Sequence, residues 1–346
     1  MEAVKTGVLG LKFGAKLVRN RILNTENEKY IRLTCVCDRD RELADRFAAE
    51  TSLKAFYSLD DMLKDPDLEA VMLFTPPRGR AELIRQCLNA GKHVLTTKPF
   101  ELDHQAALDV LNEAKAKNLA VHLNSPAPCP SGDLAQIRNW QEKYDLGMPV
   151  SAYWETYVRY EETADGTWLD DPEKCPAAPL FRLGIYGINE LLAIFGKVDS
   201  VELAAGRLFT GRPTPDHTAL MIRFANGAIG QIHASFCIDD GTMYPSALTL
   251  HFQRGTIRKM QMRPVGTSVF TGVKMSLQTV IDSKIHEESV TLPGSVRSGE
   301  YEFDMFCKAV RKEPLHEEIS PEIIAEGIRV IDMMAEKERI QKNERI

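Results

Sequence analysis

The chain predicts an α/β fold in two parts: an N-terminal doubly wound parallel sheet, then an α+β region built around a large, mostly antiparallel sheet. Three observations predict it. Over the first third, short apolar runs alternate with stretches that are apolar at helical spacing, the rhythm of parallel strands joined by crossover helices. After about Gln136 strand-like runs follow one another with few helices between them. The 346 residues also exceed the ~250–300 over which one hydrophobic core keeps growing, so two domains are expected, 1–125 and 126–346.

In the first domain, strands are expected at Val4–Gly10, Ile31–Asp38, Ala70–Thr75, His93–Thr97 and Ala120–Asn124. Helices are expected between them at Phe13–Leu23, Arg41–Glu50, Arg80–Asn89 and Leu102–Lys117, the third stopped by Gly91. In the second, Val150–Tyr160, Val198–Leu208, Ala219–Phe224, Ala228–Phe236, Leu248–Phe252 and Thr256–Met262 alternate as strands. One helix, Leu183–Phe195, interrupts them and ends at Gly196. Ser320-Pro321-Glu322 supplies an N-cap and a first-turn proline for a long last helix, expected to pack on one of the two domains.

Composition narrows the function. Forty-three bases against 49 acids give a net charge of −6, without a basic block to neutralise phosphates, so nucleic acid is not an expected partner. No apolar run approaches the ~18 residues of a membrane span, and the N-terminus lacks a signal-peptide pattern, so a cytoplasmic protein is expected. The seven cysteines are scattered, as in a reduced compartment. Cys35 and Cys37 lie two apart on one face of a buried strand with no matching ligand pair, and no metal is expected.

The chemistry-bearing positions cluster at strand ends. Gly10-Leu11-Lys12-Phe13-Gly14-Ala15 sits where the first strand turns into the first helix, where backbone amides hold a pyrophosphate. Against G-x-G-x-x-G, Lys12 replaces the second glycine and Ala15 the third. Asp38 ends the second strand, where an acid either accepts from the adenosine ribose or caps the next helix, and Arg39 beside it suits an adenine or a ribose phosphate. Thr75-Pro76-Pro77 leaves the carboxyl end of a parallel strand, the edge at which open α/β sheets bind ligands.

Further along come Gly91-Lys92-His93-Val94, running to Thr97-Lys98-Pro99, and Arg182-Leu183-Gly184-Ile185-Tyr186-Gly187-Ile188-Asn189. With the altered glycine loop and Asp38, these stretches resemble the Gfo/Idh/MocA oxidoreductases over essentially the whole chain. The resemblance implies an N-terminal Rossmann domain binding NAD or NADP, a second domain for substrate and assembly, and a homodimer or homotetramer. It implies that Lys98 lies between nicotinamide and substrate, although Thr97 replaces the family's acid. Tyr186 stands where that family carries a histidine and keeps an acid/base hydroxyl, while Arg182 and Asn189 each replace an aspartate.

The resemblance implies an enzyme of carbohydrate metabolism, transferring hydride between nicotinamide and a hydroxyl-bearing carbon of a sugar, cyclitol or derivative. In the implied reaction Lys98 would donate to the reacting oxygen and Tyr186 would take or return its proton. Arg182 either selects an anionic substrate through its planar fork or pairs with an acid of the protein. Asn124, Trp168 and Asn189 join the expected substrate set; aromatics at Tyr153, Trp154, Tyr157, Tyr160 and Trp168 either stack on a sugar or pack the sheet. His122 is expected to be structural. Two alternatives remain open: a redox-neutral elimination or epimerisation with tightly held NAD, and a ligand-binding paralogue without catalysis.

Overall fold

The computed structural model describes residues 1–267, 269–294, 299–315 and 317–343. The chain divides into two compact units, Met1–Cys129 with Tyr301–Pro321, and Pro130–Glu300 with Glu322–Ile346.

The first unit is a six-stranded sheet: β1 (Val4–Leu9), β2 (Ile31–Cys37), β3 (Lys54–Phe56), β4 (Ala70–Leu73), β5 (His93–Thr96) and β6 (Val121–Leu123). Every pair in the order β3-β2-β1-β4-β5-β6 is parallel. The order reverses between β1 and β4, which makes their carboxyl ends the switch point at which such sheets bind ligands. The helices are α1 (Leu11–Arg21), α2 (Arg41–Thr51), the short α3 (Leu59–Leu63), α4 (Arg80–Asn89) and α5 (His104–Ala116). Asp40, Ser58 and Asp103 cap α2, α3 and α5 by accepting from backbone amides in the first turn. The five strands expected from the sequence are present. β3, three residues without a buried side chain, lies beyond that expectation.

The unit is completed from far along the chain. The returning segment carries α8 (Phe303–Val310), whose Phe303, Phe306, Cys307 and Val310 join one core cluster with Val4, Val8, Leu11, Phe47, Phe74 and Leu95. Arg311 then anchors the segment with a two-pronged ion pair to Glu69, Nη1 at 2.6 Å and Nη2 at 3.1 Å. Cys35 and Cys37 are fully buried on β2, and burial pushes their thiols up to about 11 and about 12. They are core residues.

The second unit holds α6 (Gly132–Lys143), β7 (Pro149–Tyr157), α7 (Ile185–Phe195), β8 (Val198–Gly206), β9 (His217–Phe224), β10 (Ile229–Ser235), β11 (Ser246–Phe252), β12 (Gly255–Met262), β13 (Gly272–Ile281), β14 (Lys284–Pro293) and α9 (Pro321–Asn343). Its sheet runs β14-β13-β12-β11-β7-β10-β9-β8. All neighbours are antiparallel except β7 and β10. Register aligns one row across it: Leu203, Leu220, Ile232, Trp154, Leu248, Lys259 and Met275. Every member is buried, so one lysine stands in an otherwise apolar row. α9 belongs to this unit: Glu326 accepts from the Val198 amide at 2.9 Å and Glu338 from the Ala177 amide at 2.6 Å.

Candidate functional site

The glycine turn after β1 is built by close backbone approach. Gly10 has φ +93°, and a Cβ on it would lie 2.9 Å from the carbonyl carbon and oxygen of Phe74, so a side chain is excluded twice over. Its amide donates to the Cys37 carbonyl at 3.0 Å. The next amide, that of Leu11, donates to Asp38 Oδ2 at 2.7 Å, and the Asp40 amide donates to Asp38 Oδ1 at 3.0 Å. Asp38 thereby ties the end of β2 to the first turn of α1, with lone pairs left over on both oxygens. Gly14 is buried one turn on, while Lys12, Phe13 and Arg39 are exposed. The Phe13 ring meets Phe74 edge-on at 5.6 Å, and Phe74 meets Tyr301 of the returning segment at 6.4 Å.

At the carboxyl ends of β4 and β5, Thr75 is half-buried and Pro76 exposed. The Thr75 hydroxyl is buried with no hydrogen-bond partner among the described residues. Lys98, half-buried, follows β5. Its amide donates to Asn124 Oδ1 at 3.1 Å, and the Thr97 hydroxyl donates to the same oxygen at 3.3 Å. Asn124, expected from the sequence in the substrate set, is 2% exposed and holds the Lys98 backbone. His122 behaves as expected: it is buried edge-on against Phe306 at 5.4 Å, and burial pushes it down to about 3.

In the second unit a π-helical turn over Leu180–Gly184 leads into α7, whose second residue is the half-buried Tyr186. α7 lies tight on the sheet because Gly187 has no side chain; a Cβ there would collide with the Trp154 ring. Trp154 is therefore a packing residue, and its Nε1 donates to Glu190 Oε2 at 3.1 Å. Glu190 Oε1 in turn meets the Lys259 ammonium, which also donates to Asp133 Oδ2 at 2.8 Å. These charges sit at 7%, 2% and 0% exposure, so the lysine in the apolar row is matched by an acid from each of two helices.

Two expected substrate residues are engaged elsewhere. The Arg182 fork assigned to a substrate anion is taken by Glu162, with Nη1 and Nη2 donating at 2.7 and 2.8 Å. Its plane lies over the Tyr160 and Phe236 rings at 4.5 and 4.8 Å. Of the two alternatives left by the sequence, pairing with an acid is the observed one. Asn189 is buried with its Oδ1 against Gly327 of α9, where a Cβ could not fit, so it belongs to helix packing. Trp168 begins a short 3-10 turn and packs edge-on to Phe181 at 6.3 Å. That turn is fixed by Arg212 Nη1, which donates to Asp170 at 2.6 Å and Asp165 at 3.3 Å, and by the Thr214 hydroxyl donating to the Leu169 carbonyl at 2.9 Å.

Comparison with known proteins decides the family. Residues 4–125 match the model described as "Oxidoreductase family, NAD-binding Rossmann fold", and residues 134–258 match the Gfo/Idh/MocA C-terminal domain. The chain belongs to the Gfo/Idh/MocA oxidoreductase family. An uncharacterised oxidoreductase of Schizosaccharomyces pombe is 33% identical over 156 residues, 44% of this chain and 41% of that protein. The dTDP-3,4-didehydro-2,6-dideoxy-alpha-D-glucose 3-reductase of Saccharopolyspora spinosa is 35% identical over 165 residues, 44% and 48% of the two chains. The chain spans about half the length of the curated relatives it matches first. An NAD-binding oxidoreductase of Klebsiella pneumoniae has the same fold, with a TM-score of 0.72 at 17% identity over 98% of both chains.

The first unit fits the dinucleotide that this family's Rossmann domain binds. Gly10 keeps the turn bare of side chain against Phe74, Asp38 presents a fixed carboxylate beside it, and the orphaned Thr75 hydroxyl marks the switch-point edge. Among the described residues no group of three or more His, Cys, Asp or Glu could hold a metal, and no helix is long and apolar enough to cross a membrane. Sequence reasoning missed Arg80, Glu162 and Arg212 as organisers. Of the others it passed over, only Lys259 left a signal, its alternation with Ile257 on the buried face of β12.

Proposed function

We propose that the chain is an NAD(P)-dependent dehydrogenase acting on a hydroxyl-bearing carbon of a sugar, cyclitol or derivative. The observation that carries this is the Gly10 turn stitched to Asp38 through the Leu11 amide at 2.7 Å, a backbone arrangement suited to a pyrophosphate with a ribose-accepting acid next to it. In this reading Gly10, Phe13 and Gly14 surround the pyrophosphate, with Lys12 free to reach it from the exposed side. Asp38 accepts from the adenosine ribose, Arg39 covers its edge, and Thr75 and Pro76 border the nicotinamide end. The bound nicotinamide supplies the hydride chemistry.

The chain's own groups orient and move the proton. Lys98, its backbone held by Asn124, donates hydrogen bonds to the substrate oxygen and favours its anionic form. Tyr186 is the second unit's acid/base group, exchanging the hydroxyl proton. Trp168, on a turn braced by Arg212, is the aromatic candidate for stacking on a sugar ring. Anion selection by Arg182 drops out of the proposal, since Glu162 holds its fork.

Asp38 favours the free ribose of NAD, whereas the exposed Arg39 suits the 2′-phosphate of NADP. Calorimetric titration with each dinucleotide decides between them, and absence of binding by both overturns the proposal. With a substrate in hand, Tyr186→Phe should leave dinucleotide binding intact and lower turnover by about 10²–10⁴. Unchanged turnover removes Tyr186 from the mechanism.

A further inference from the structure

Arg80 opens α4 with its side chain turned inward, leaving 2% of its surface exposed. A cation at that depth ordinarily faces an acid. Here its partners are neutral oxygens. Nη1 donates to the Thr97 carbonyl at 2.7 Å, the Pro99 carbonyl at 3.0 Å and the Thr96 hydroxyl at 3.4 Å, and Nη2 donates to the Thr75 carbonyl. Glu101 turns its carboxylate to the amides of Gly79, Ala81 and Leu102 at 3.1, 2.8 and 2.7 Å. Burial pushes the Arg80 guanidinium down to about 10, which leaves it charged at neutral pH.

The pattern of acceptors is informative. Thr97 and Pro99 flank Lys98, so one guanidinium nitrogen grips the chain on both sides of that lysine, while Asn124 Oδ1 holds the Lys98 amide at 3.1 Å. The Thr75 carbonyl belongs to the neighbouring turn after β4. Carbonyl dipoles converging from two turns repel one another unless a cation lies at their focus, and a planar fork reaches several at once where an ammonium cannot. A neutral core side chain would fill the space more cheaply, as far as folding alone is concerned.

We propose that Arg80 is a positioning residue that locks the Lys98 and Thr75 turns together at the carboxyl ends of β5 and β4. The inference rests on the reading of those turns as the nicotinamide end of the cofactor site.

The test uses the full-length protein with Arg80→Lys and Arg80→Gln, and Asn124→Ala as an independent way to release the same backbone. Hydrogen–deuterium exchange is followed in peptides covering 74–79 and 96–102, and NAD and NADP binding by calorimetry. In both Arg80 variants exchange over 74–79 and over 96–102 should rise at least about tenfold, with β1 and β2 unchanged, and dinucleotide affinity should fall about tenfold or more; Lys does not rescue, because the fork and not the charge alone is needed. Asn124→Ala should reproduce the local rise over 96–102 without that over 74–79. Wild-type binding together with unchanged exchange and affinity in the Arg80 variants overturns the role of Arg80 alone. A rise spread evenly through the unit overturns it too, as a merely structural effect. A wild type that binds neither dinucleotide overturns the functional reading on which the inference stands.

Discussion

Exchanging Lys259 for Met removes the ammonium that faces two buried acids, Asp133 Oδ2 at 2.8 Å and Glu190 Oε1. Solvent screens little there, since the three residues are 2%, 0% and 7% exposed. Deleting one partner of a buried pair costs roughly 3–5 kcal/mol, a large share of the ~5–15 kcal/mol that holds a domain folded. Met is close to the lysine stem in volume and continues the row of Leu248 and Met275, so the loss is electrostatic rather than a cavity effect. Its sign with pH follows. Without the ammonium, a buried carboxyl is held as the neutral acid, its folded pKa raised above the unfolded value. Such a group stabilises the fold below the unfolded pKa, and that contribution disappears as pH rises through the folded one. The deficit against wild type is therefore widest at pH 8 and smaller at pH 5 by at least about 1 kcal/mol, less than one pKa unit's worth. Urea unfolding followed by tryptophan fluorescence reads this unit alone, because Trp140, Trp154 and Trp168, the chain's three tryptophans, all lie in it. Adding Asp133→Asn and Glu190→Gln should recover most of the loss. A deficit under about 1 kcal/mol that is equal at the two pH values would refute the reasoning.

Gly10→Ala forces an L side chain to φ +93° against the Phe74 carbonyl; a strained backbone of that kind costs about 1–3 kcal/mol. The turn should shift and weaken NAD or NADP binding at least about tenfold by calorimetry, and unchanged affinity would show that the pyrophosphate lies elsewhere. His122 has a folded pKa pushed down to about 3 from 6.5 by burial; the unfolded chain takes up its proton first, so stability falls as pH drops below 6.5. That slope amounts to about 2 kcal/mol between pH 8 and 5. His122→Leu should flatten it in denaturation followed by circular dichroism, and an unaltered slope would assign it to other groups.

Local periodicity made the parallel strands and the switch-point edge legible, and it placed Gly10, Asp38, Thr75 and Lys98 just past the strand ends where the structure has them. Features set by distant partners were not legible. Arg182 finds Glu162, twenty residues earlier, only after the stretch between them folds back, and a sequence records most of that stretch as punctuation. Arg80 reads as a polar first-turn residue of a helix, since nothing local shows that the turns after β4 and β5 converge on it. β14 escaped because Lys284–Pro293 buries no side chain on either face, which leaves it without the apolar alternation that marks a strand. Asn189 shows the opposite failure: matching its position to a family aspartate suggested chemistry, whereas Gly327 opposite it makes room for packing.

The return of Tyr301–Pro321 to the first unit has a consequence for synthesis. Roughly 170 residues separate Cys129 from Tyr301, so at about 5–20 residues per second a ribosome takes on the order of 10–30 s to deliver α8 after the sheet is made. For that interval the nascent sheet lacks the rings that cover Phe74 and His122. It displays an apolar surface that the finished protein hides. The span is a window for chaperone capture, and a reason to expect that 1–129 expressed alone is a poor surrogate for the cofactor-binding unit. Supplying 301–321 in trans, or grafting it through a short linker, should restore what that fragment lacks.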